Sequence, residues 1–209
     1  MNAPPARYFL APDRLARAAG YRRIAGVDEA GCGPWAGPVI AAAVVLQRRR
    51  RLPVRIGDSK CLTLLQRERA YAVILEYGEV GVGVADAAEI DRHNILQARL
   101  LAMRRALDDL PQPAELALID GTVSPAAGLA CWPCVDGDAR SYLIGCASII
   151  AKVTRDRMMR FYHRLAPRYA FHRHKGYGTP LHLARLLRFG PCSFHRQSVR
   201  PVYEAVRAE

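Results

Sequence analysis

No stretch of this 209-residue sequence approaches the ~20 consecutive apolar residues that a bilayer-spanning helix needs. Its start, Met1 to Leu10, lacks the basic-then-apolar pattern of a secretory signal. Zinc-site spacing is also missing: of the cysteines at 32, 61, 131, 134, 146 and 192, only Cys131 and Cys134 form a C-x-x-C pair, and no second pair completes it. A lone pair with Pro133 inside it lacks the context of a thioredoxin-like motif. Reduced cysteines in a cytoplasmic protein are therefore expected. No Ser-His-Asp arrangement or H-E-x-x-H motif competes for the chemistry. Acidic residues are scarce, with 19 Asp and Glu against 31 Lys and Arg and a formal net charge of +12. That balance favours an anionic partner, nucleic acid first. Hydrophobic residues make up 51% of the chain, which excludes a disordered composition.

The hydrophobic pattern divides the chain into alternating elements. Residues 24–30 and 39–46 are apolar runs separated by a turn of small residues, and they read as paired strands. Gln47 to Arg51 is a basic loop suited to phosphates or to a solvated tip. Helical spacing appears around Asp13 to Ala19, over Leu64 to Tyr77, over Ala87 to Leu110 and over Arg140 to His163. Val80 to Ala85 alternates with glycine and reads as a strand beside which another backbone packs closely. Glu115 to Asp120 reads as a short strand ending on a carboxylate, and residues 122–137 as an irregular connection. His172 to Gly178 reads as a basic loop; Thr179 caps a helix through Arg188, with Pro180 at its first position. With no repeat and no linker, one α/β domain with a mixed sheet is expected over residues 1–209.

Acids stand at the ends of three such elements: Asp28 with Glu29, Asp120, and Asp138. The first two segments share the form apolar strand, acid, glycine. Adjacent strand ends would gather these carboxylates, and Asp138 joins them from a helix start that suits its charge. Clustered carboxylates repel one another unless divalent cations such as Mg²⁺ or Mn²⁺ neutralise them. Two such ions activate water and stabilise a leaving oxygen in phosphodiester hydrolysis. A single acid taken alone, Asp138 especially, is equally explained as a helix cap.

Six ordered blocks, IAGVDEAGCGPWAGPVIAAAVVL, IGDSKCLT, ALIDG, GDARSYLIGCASIIAKVTRDRMM, HRHKGYGTPLHL and FGPCSFHRQSV, make the chain resemble the ribonuclease HII family from Ile24 to Val202. The resemblance implies a ribonuclease H-like fold: a mixed five-stranded sheet flanked by helices, with a catalytic core over about 22–165 and a helical substrate-binding part over about 166–209. It implies an endoribonuclease that hydrolyses the RNA strand of RNA–DNA hybrids and cuts at ribonucleotides embedded in duplex DNA. Catalysis would use two metal ions, Mg²⁺ or Mn²⁺, and leave 5′-phosphate and 3′-hydroxyl ends. By motif, the metal-holding acids are Asp28, Glu29, Asp120 and Asp138. Gly31, Cys32 and Gly33 match the turn that senses the ribose 2′-hydroxyl, which separates RNA from DNA. Tyr177 matches a tyrosine that stacks on the neighbouring deoxyribose, and Lys60 and Lys152 match phosphate contacts. A monomer is expected, and Gln197 to Glu209 carries no convincing clamp-binding peptide.

The sequence departs from the family pattern at the turn. Cys32 stands where the family usually has arginine, Cys61 replaces a basic residue usual after Asp-Ser-Lys, and Thr122 follows Asp120 and Gly121 where asparagine is common. A thiol is a weak donor beside a guanidinium fork, and one lost charged contact costs about 1.5–3 kcal/mol. The alternative expectation is therefore a catalytically weak hybrid-binding protein. A DNA nuclease of related fold is a further rival, against which Tyr177 and the two glycines argue.

Overall fold

The structure, a computed structural model, describes residues 11–46, 52–57 and 59–207. The basic run 47–51 lies outside the described residues, as does the side chain of Lys60. Five strands, β1 (Ile24–Ala30), β2 (Val39–Leu46), β3 (Gly78–Ala85), β4 (Leu116–Asp120) and β5 (Ala130–Cys134), form one sheet in the order β3-β2-β1-β4-β5. β1 pairs antiparallel with β2 and parallel with β4; β2–β3 is antiparallel and β4–β5 parallel. The mixed sheet is thus the one expected.

Helices α1 (Ala11–Ala18), α2 (Leu64–Tyr77), α3 (Ala87–Asp108), α4 (Gly137–Arg140), α5 (Tyr142–Leu165), α6 (Phe171–His174), α7 (Pro180–Phe189) and α8 (Arg200–Val206), with 3₁₀ turns at Ser59–Cys61 and Pro167–Tyr169, complete the described elements. Both sheet faces are covered. Val27, Ala41, Ala43 and Ile119 pack with Ala98, Ala102 and Ala106 of α3, while Ala42 and Val44 pack with Ala147 and Ile150 of α5 and Ile74 of α2. This two-sided burial explains why β2 is an unbroken apolar run. The alternating glycines of β3 admit the α3 backbone: a Cβ at Gly83 would lie 1.9 Å from the carbonyl oxygen of Ala102.

Three elements differ from the sequence expectation. A strand, β5, occupies part of the segment read as irregular; it is an edge strand, where Pro133 is tolerated. The helix read over Arg140 to His163 is broken at Ser141, whose extended backbone separates α4 from α5. Ser141 caps the amide of Ile144, and the carboxylate of buried Asp13 accepts the N–H groups of Tyr142 (3.0 Å) and Leu143 (3.1 Å). The basic loop begins inside α6, a single helical turn. Within α3, Asn94 has a positive φ of 66° and re-caps the chain by accepting from the amides of Leu96 and Gln97.

Asp13 thus stabilises the start of the helix that carries the site's polar face. Asp13→Ala is expected to lower unfolding free energy by about 1–3 kcal/mol, because it removes the acceptor of one buried and one part-buried N–H. Urea unfolding midpoints measure this; an unchanged midpoint would show that water replaces the cap. No helix among the described residues is long and apolar enough to cross a membrane.

Candidate active site

Parallel pairing of β1 with β4 places Val27 opposite Ile119, so the acids that follow them emerge together at one sheet edge. Successive strand residues alternate faces. Asp28 turns toward α5, where the Ser148 hydroxyl bonds it, and Glu29 turns toward α3, where Arg99 approaches it. Ligand atoms of Asp28, Glu29 and Asp120 lie within 4.8 Å of one another. One oxygen of Asp28 accepts the amide of Glu29 at 2.7 Å, and one oxygen of Asp120 accepts the amide of Gly137 at 2.7 Å. Asp138, on α4, lines the same cavity of about 330 Å³ from another wall, outside that group of three.

Burial drives the Asp28 carboxyl well above the usual carboxylate range, and the charges of Glu29 and Asp120 push it further. Glu29 is also raised, chiefly by burial, with Arg99 opposing. Oε2 of Glu29 is buried and finds no hydrogen-bond partner among the described residues. An orphaned carboxyl oxygen among other hard oxygen donors is the environment that a divalent cation satisfies.

The structure brings most of the other expected residues to this cavity. Gly31, Cys32, Gly33, Lys152 and Tyr177 all line it. Lys152 shares its ammonium with Asp156 at 2.6 Å. Lys60 has its backbone in the short 3₁₀ turn Ser59–Cys61. Cys32 holds its proton, since burial first and Glu29 second push its thiol up to about 12. Its Sγ donates to Oε1 of Glu29 at 3.6 Å, and Nε of Arg99 stands 3.5 Å from that same oxygen. A guanidinium therefore does approach this acid, but from α3 and not from the turn.

The Tyr177 ring is 43% exposed, so it is available to a partner, yet its backbone is fixed. Its carbonyl accepts from Nδ1 of His182 at 2.9 Å. Because a carbonyl only accepts, Nδ1 carries the His182 proton and Nε2 is an acceptor. Nε2 of His195, at 3.1 Å, must then donate, which leaves its Nδ1 to accept the amide of Cys192 at 3.0 Å. Both rings are neutral, and burial pushes each down to about 4. Arg155 lies over the Tyr177 ring, 5.7 Å from its centroid.

Sequence reasoning missed Arg99, Ser148, Arg155 and Arg196. Ser148, Lys152 and Arg155 are spaced four and three residues apart, a polar stripe on one face of α5 that was available as a signal. Nothing comparable marks Arg99 or Arg196.

Residues 25–206 match the family model described as Ribonuclease HII. A protein of that name from Syntrophotalea carbinolica is 50% identical over 192 residues, covering 91% of each chain. Another of that name, from Chloroflexus aggregans, is 49% identical over 192 residues, covering 90% of this chain and 91% of its own. The crystal structure of the ribonuclease H2 from Pyrococcus horikoshii superposes with a TM-score of 0.77 at 25% identity, covering 90% of this chain and 98% of that one.

Proposed function

Because the chain belongs to the ribonuclease HII family, we propose that its acid-lined cavity cuts RNA in RNA–DNA hybrids and at single ribonucleotides within duplex DNA. The protein is a hydrolase, an endoribonuclease. The observation that carries the site assignment is the meeting of Asp28, Glu29 and Asp120 at the ends of adjacent parallel strands, with one Glu29 oxygen left unsatisfied. These three acids, with Asp138 from α4, would hold two Mg²⁺ or Mn²⁺ ions. Bound there, such ions supply charge stabilisation at the phosphate and acidify an attacking water.

The chain's own residues bind and orient the substrate. A basic surface of net charge +12 draws in the duplex, and the acidic cavity excludes bare phosphate until cations are present. Main-chain groups of Gly31 to Gly33 meet the ribose at the RNA-to-DNA junction. The Tyr177 ring packs on the sugar that follows, held by His182 behind it. Lys152, restrained by Asp156, offers a cation to the phosphodiester. Displacement of the 3′-oxygen leaves a 5′-phosphate and a 3′-hydroxyl.

The direct test is a duplex with one embedded ribonucleotide, incubated with Mg²⁺ or Mn²⁺. Cleavage on the 5′ side or the 3′ side of that ribose, with a 5′-phosphate product, supports the reading; cleavage of an all-DNA duplex at the same rate contradicts it. The protonated thiol at position 32 favours a second reading, a slow-cutting hybrid binder. Cys32→Arg is expected to lower KM for the ribonucleotide duplex about three- to tenfold by adding one phosphate contact. An unchanged KM would show that position 32 does not touch substrate and would remove the reason for that second reading.

A further inference from the structure

The turn that follows β1 is held from behind by a buried cation. Arg196 is 1% exposed. It donates from Nε to the carbonyl of Gly37 (2.9 Å), from one terminal nitrogen to Cys32 (2.9 Å) and from the other to Gly31 (2.5 Å). Burial lowers its guanidinium to about 10, so this charge sits where it is costly to keep. Such an expense calls for a return beyond packing.

Peptide planarity supplies the consequence. No peptide bond in the described chain is cis. In a trans peptide the N–H points opposite to the carbonyl of the preceding residue. Fixing the carbonyls of Gly31 and Cys32 on Arg196 therefore turns the N–H groups of Cys32 and Gly33 the other way. Residues 31–33 are themselves part of the lining of the acid cavity.

Gly33 gives an independent sign that something approaches there. Gly31 is required by the fold: its φ is +103°, and a Cβ would lie 2.1 Å from Nε of Arg155. Gly33 has no such requirement. A Cβ there meets nothing within 4 Å, and its φ is outside the left-handed region. The space beside its α-carbon is therefore open, which leaves room for a ligand backbone to come close.

We infer that Arg196 is a positioning residue, which keeps the N–H groups of Cys32 and Gly33 aimed as a donor pair at a sugar–phosphate oxygen of the substrate. This rests on the proposed reading that the turn meets the ribonucleotide junction. The oxygen is either a phosphate oxygen or the 2′-hydroxyl, and the two differ in what they predict.

The test measures binding of the full chain to a single-ribonucleotide duplex and to its all-DNA counterpart, by anisotropy with Ca²⁺ present. Arg196→Met, Arg196→Lys and Gly33→Ala are compared, with Mn²⁺ affinity and thermal unfolding measured alongside. Arg196→Met is expected to weaken ribonucleotide-duplex binding about tenfold or more while Mn²⁺ affinity stays within about twofold. Arg196→Lys, which keeps charge but loses the fork, should recover part of the loss. Loss confined to the ribonucleotide duplex assigns the 2′-hydroxyl; equal loss on both duplexes assigns a phosphate oxygen. Gly33→Ala should unfold like the wild type yet bind about tenfold more weakly. Wild-type binding by Gly33→Ala would overturn the underlying assignment of the turn as a substrate contact. Weak binding by Gly33→Ala alongside wild-type binding by folded Arg196→Met would overturn the role of Arg196 alone. Should Arg196→Met fail to fold, wild-type binding by Arg196→Lys overturns it equally.

Discussion

Asp28→Asn is expected to reduce cleavage of a ribonucleotide-containing duplex by a factor on the order of 10³ or more while leaving the metal-free protein more stable than the wild type. Two effects of one side chain point in opposite directions. Asp28 is the buried member of the acid group, 5% exposed, and burial first, then the neighbouring Glu29 and Asp120, disfavour its charged form. Its carboxylate is therefore a poor element of the metal-free fold and, on the proposed reading, a ligand for a cation. Asparagine keeps the shape and the bond to the Ser148 hydroxyl but removes the charge.

The pH dependence has a definite sign. The folded Asp28 and Glu29 carboxyls titrate above their ordinary values of 3.8 and 4.5. Between those values and the folded ones, the native state binds more protons than the unfolded state. Their contribution is present in full at low pH and is lost as pH rises through the folded values. Metal-free wild type should lose unfolding free energy across that window, and Asp28→Asn should lose less. At pH 8 the variant is expected to be about 1–3 kcal/mol more stable without metal, and to gain far less from added Mn²⁺. Paired urea titrations with and without Mn²⁺ read both effects. A variant that is less stable without metal and equally stabilised by Mn²⁺ would show that Asp28 is a structural acid.

The second large effect is acid loss of the Tyr177 support. His182 and His195 titrate near 4 in the folded state, against about 6.5 unfolded. Here the unfolded state gains protons first. The contribution of the pair is complete above about 6.5 and is lost as pH falls toward 4. The two rings share one hydrogen bond, so they titrate as a pair. This loss opposes the carboxylate effect, which grows more favourable over the same fall. Removing this pair separates them: in His182→Asn/His195→Asn, stability at pH 7 should be lower but its decline from pH 7 to pH 4.5 flatter. Parallel declines in variant and wild type would show that the relay does not govern acid unfolding. Protonating His182 also removes the acceptor for His195 without removing its own donor to Tyr177. Loosening of the loop is therefore expected to begin at the His195 end.

What could be read from the sequence follows from where the decisive interactions lie. The bounds of β1 and β2 were legible because an uninterrupted apolar run between small residues has one inexpensive solution, a strand buried on both faces. The glycines of β3 announced a close backbone, and α3 supplies it. Convergence of Asp28, Glu29 and Asp120 was legible because two strands end in the same acid-then-glycine form. β5 was missed because edge pairing with β4, and not local propensity, makes Pro133 a strand residue. The break at Ser141 depends on a carboxylate 129 residues away from Tyr142, which no local pattern reports. The internal roles of Arg155, whose place on the polar stripe of α5 was visible, and of Arg196, which nothing marks, were missed for a related reason. Charges are read as surface by default, and only the assembled fold shows two guanidiniums used as internal scaffolding for carbonyls.

Asp138 marks the boundary between what pattern and geometry each supply. It lines the cavity from α4 while the tight group comprises the three strand-end acids. Its inclusion as a fourth ligand is what separates a two-ion centre from a single-ion one. Anomalous diffraction from crystals grown with Mn²⁺ addresses this directly. Two peaks about 3.5–4 Å apart are predicted, with Asp28, Glu29, Asp120 and Asp138 as the residues that would hold them. A single peak with Asp138 turned away, or manganese bound elsewhere with the Glu29 oxygen still bare, would contradict this prediction.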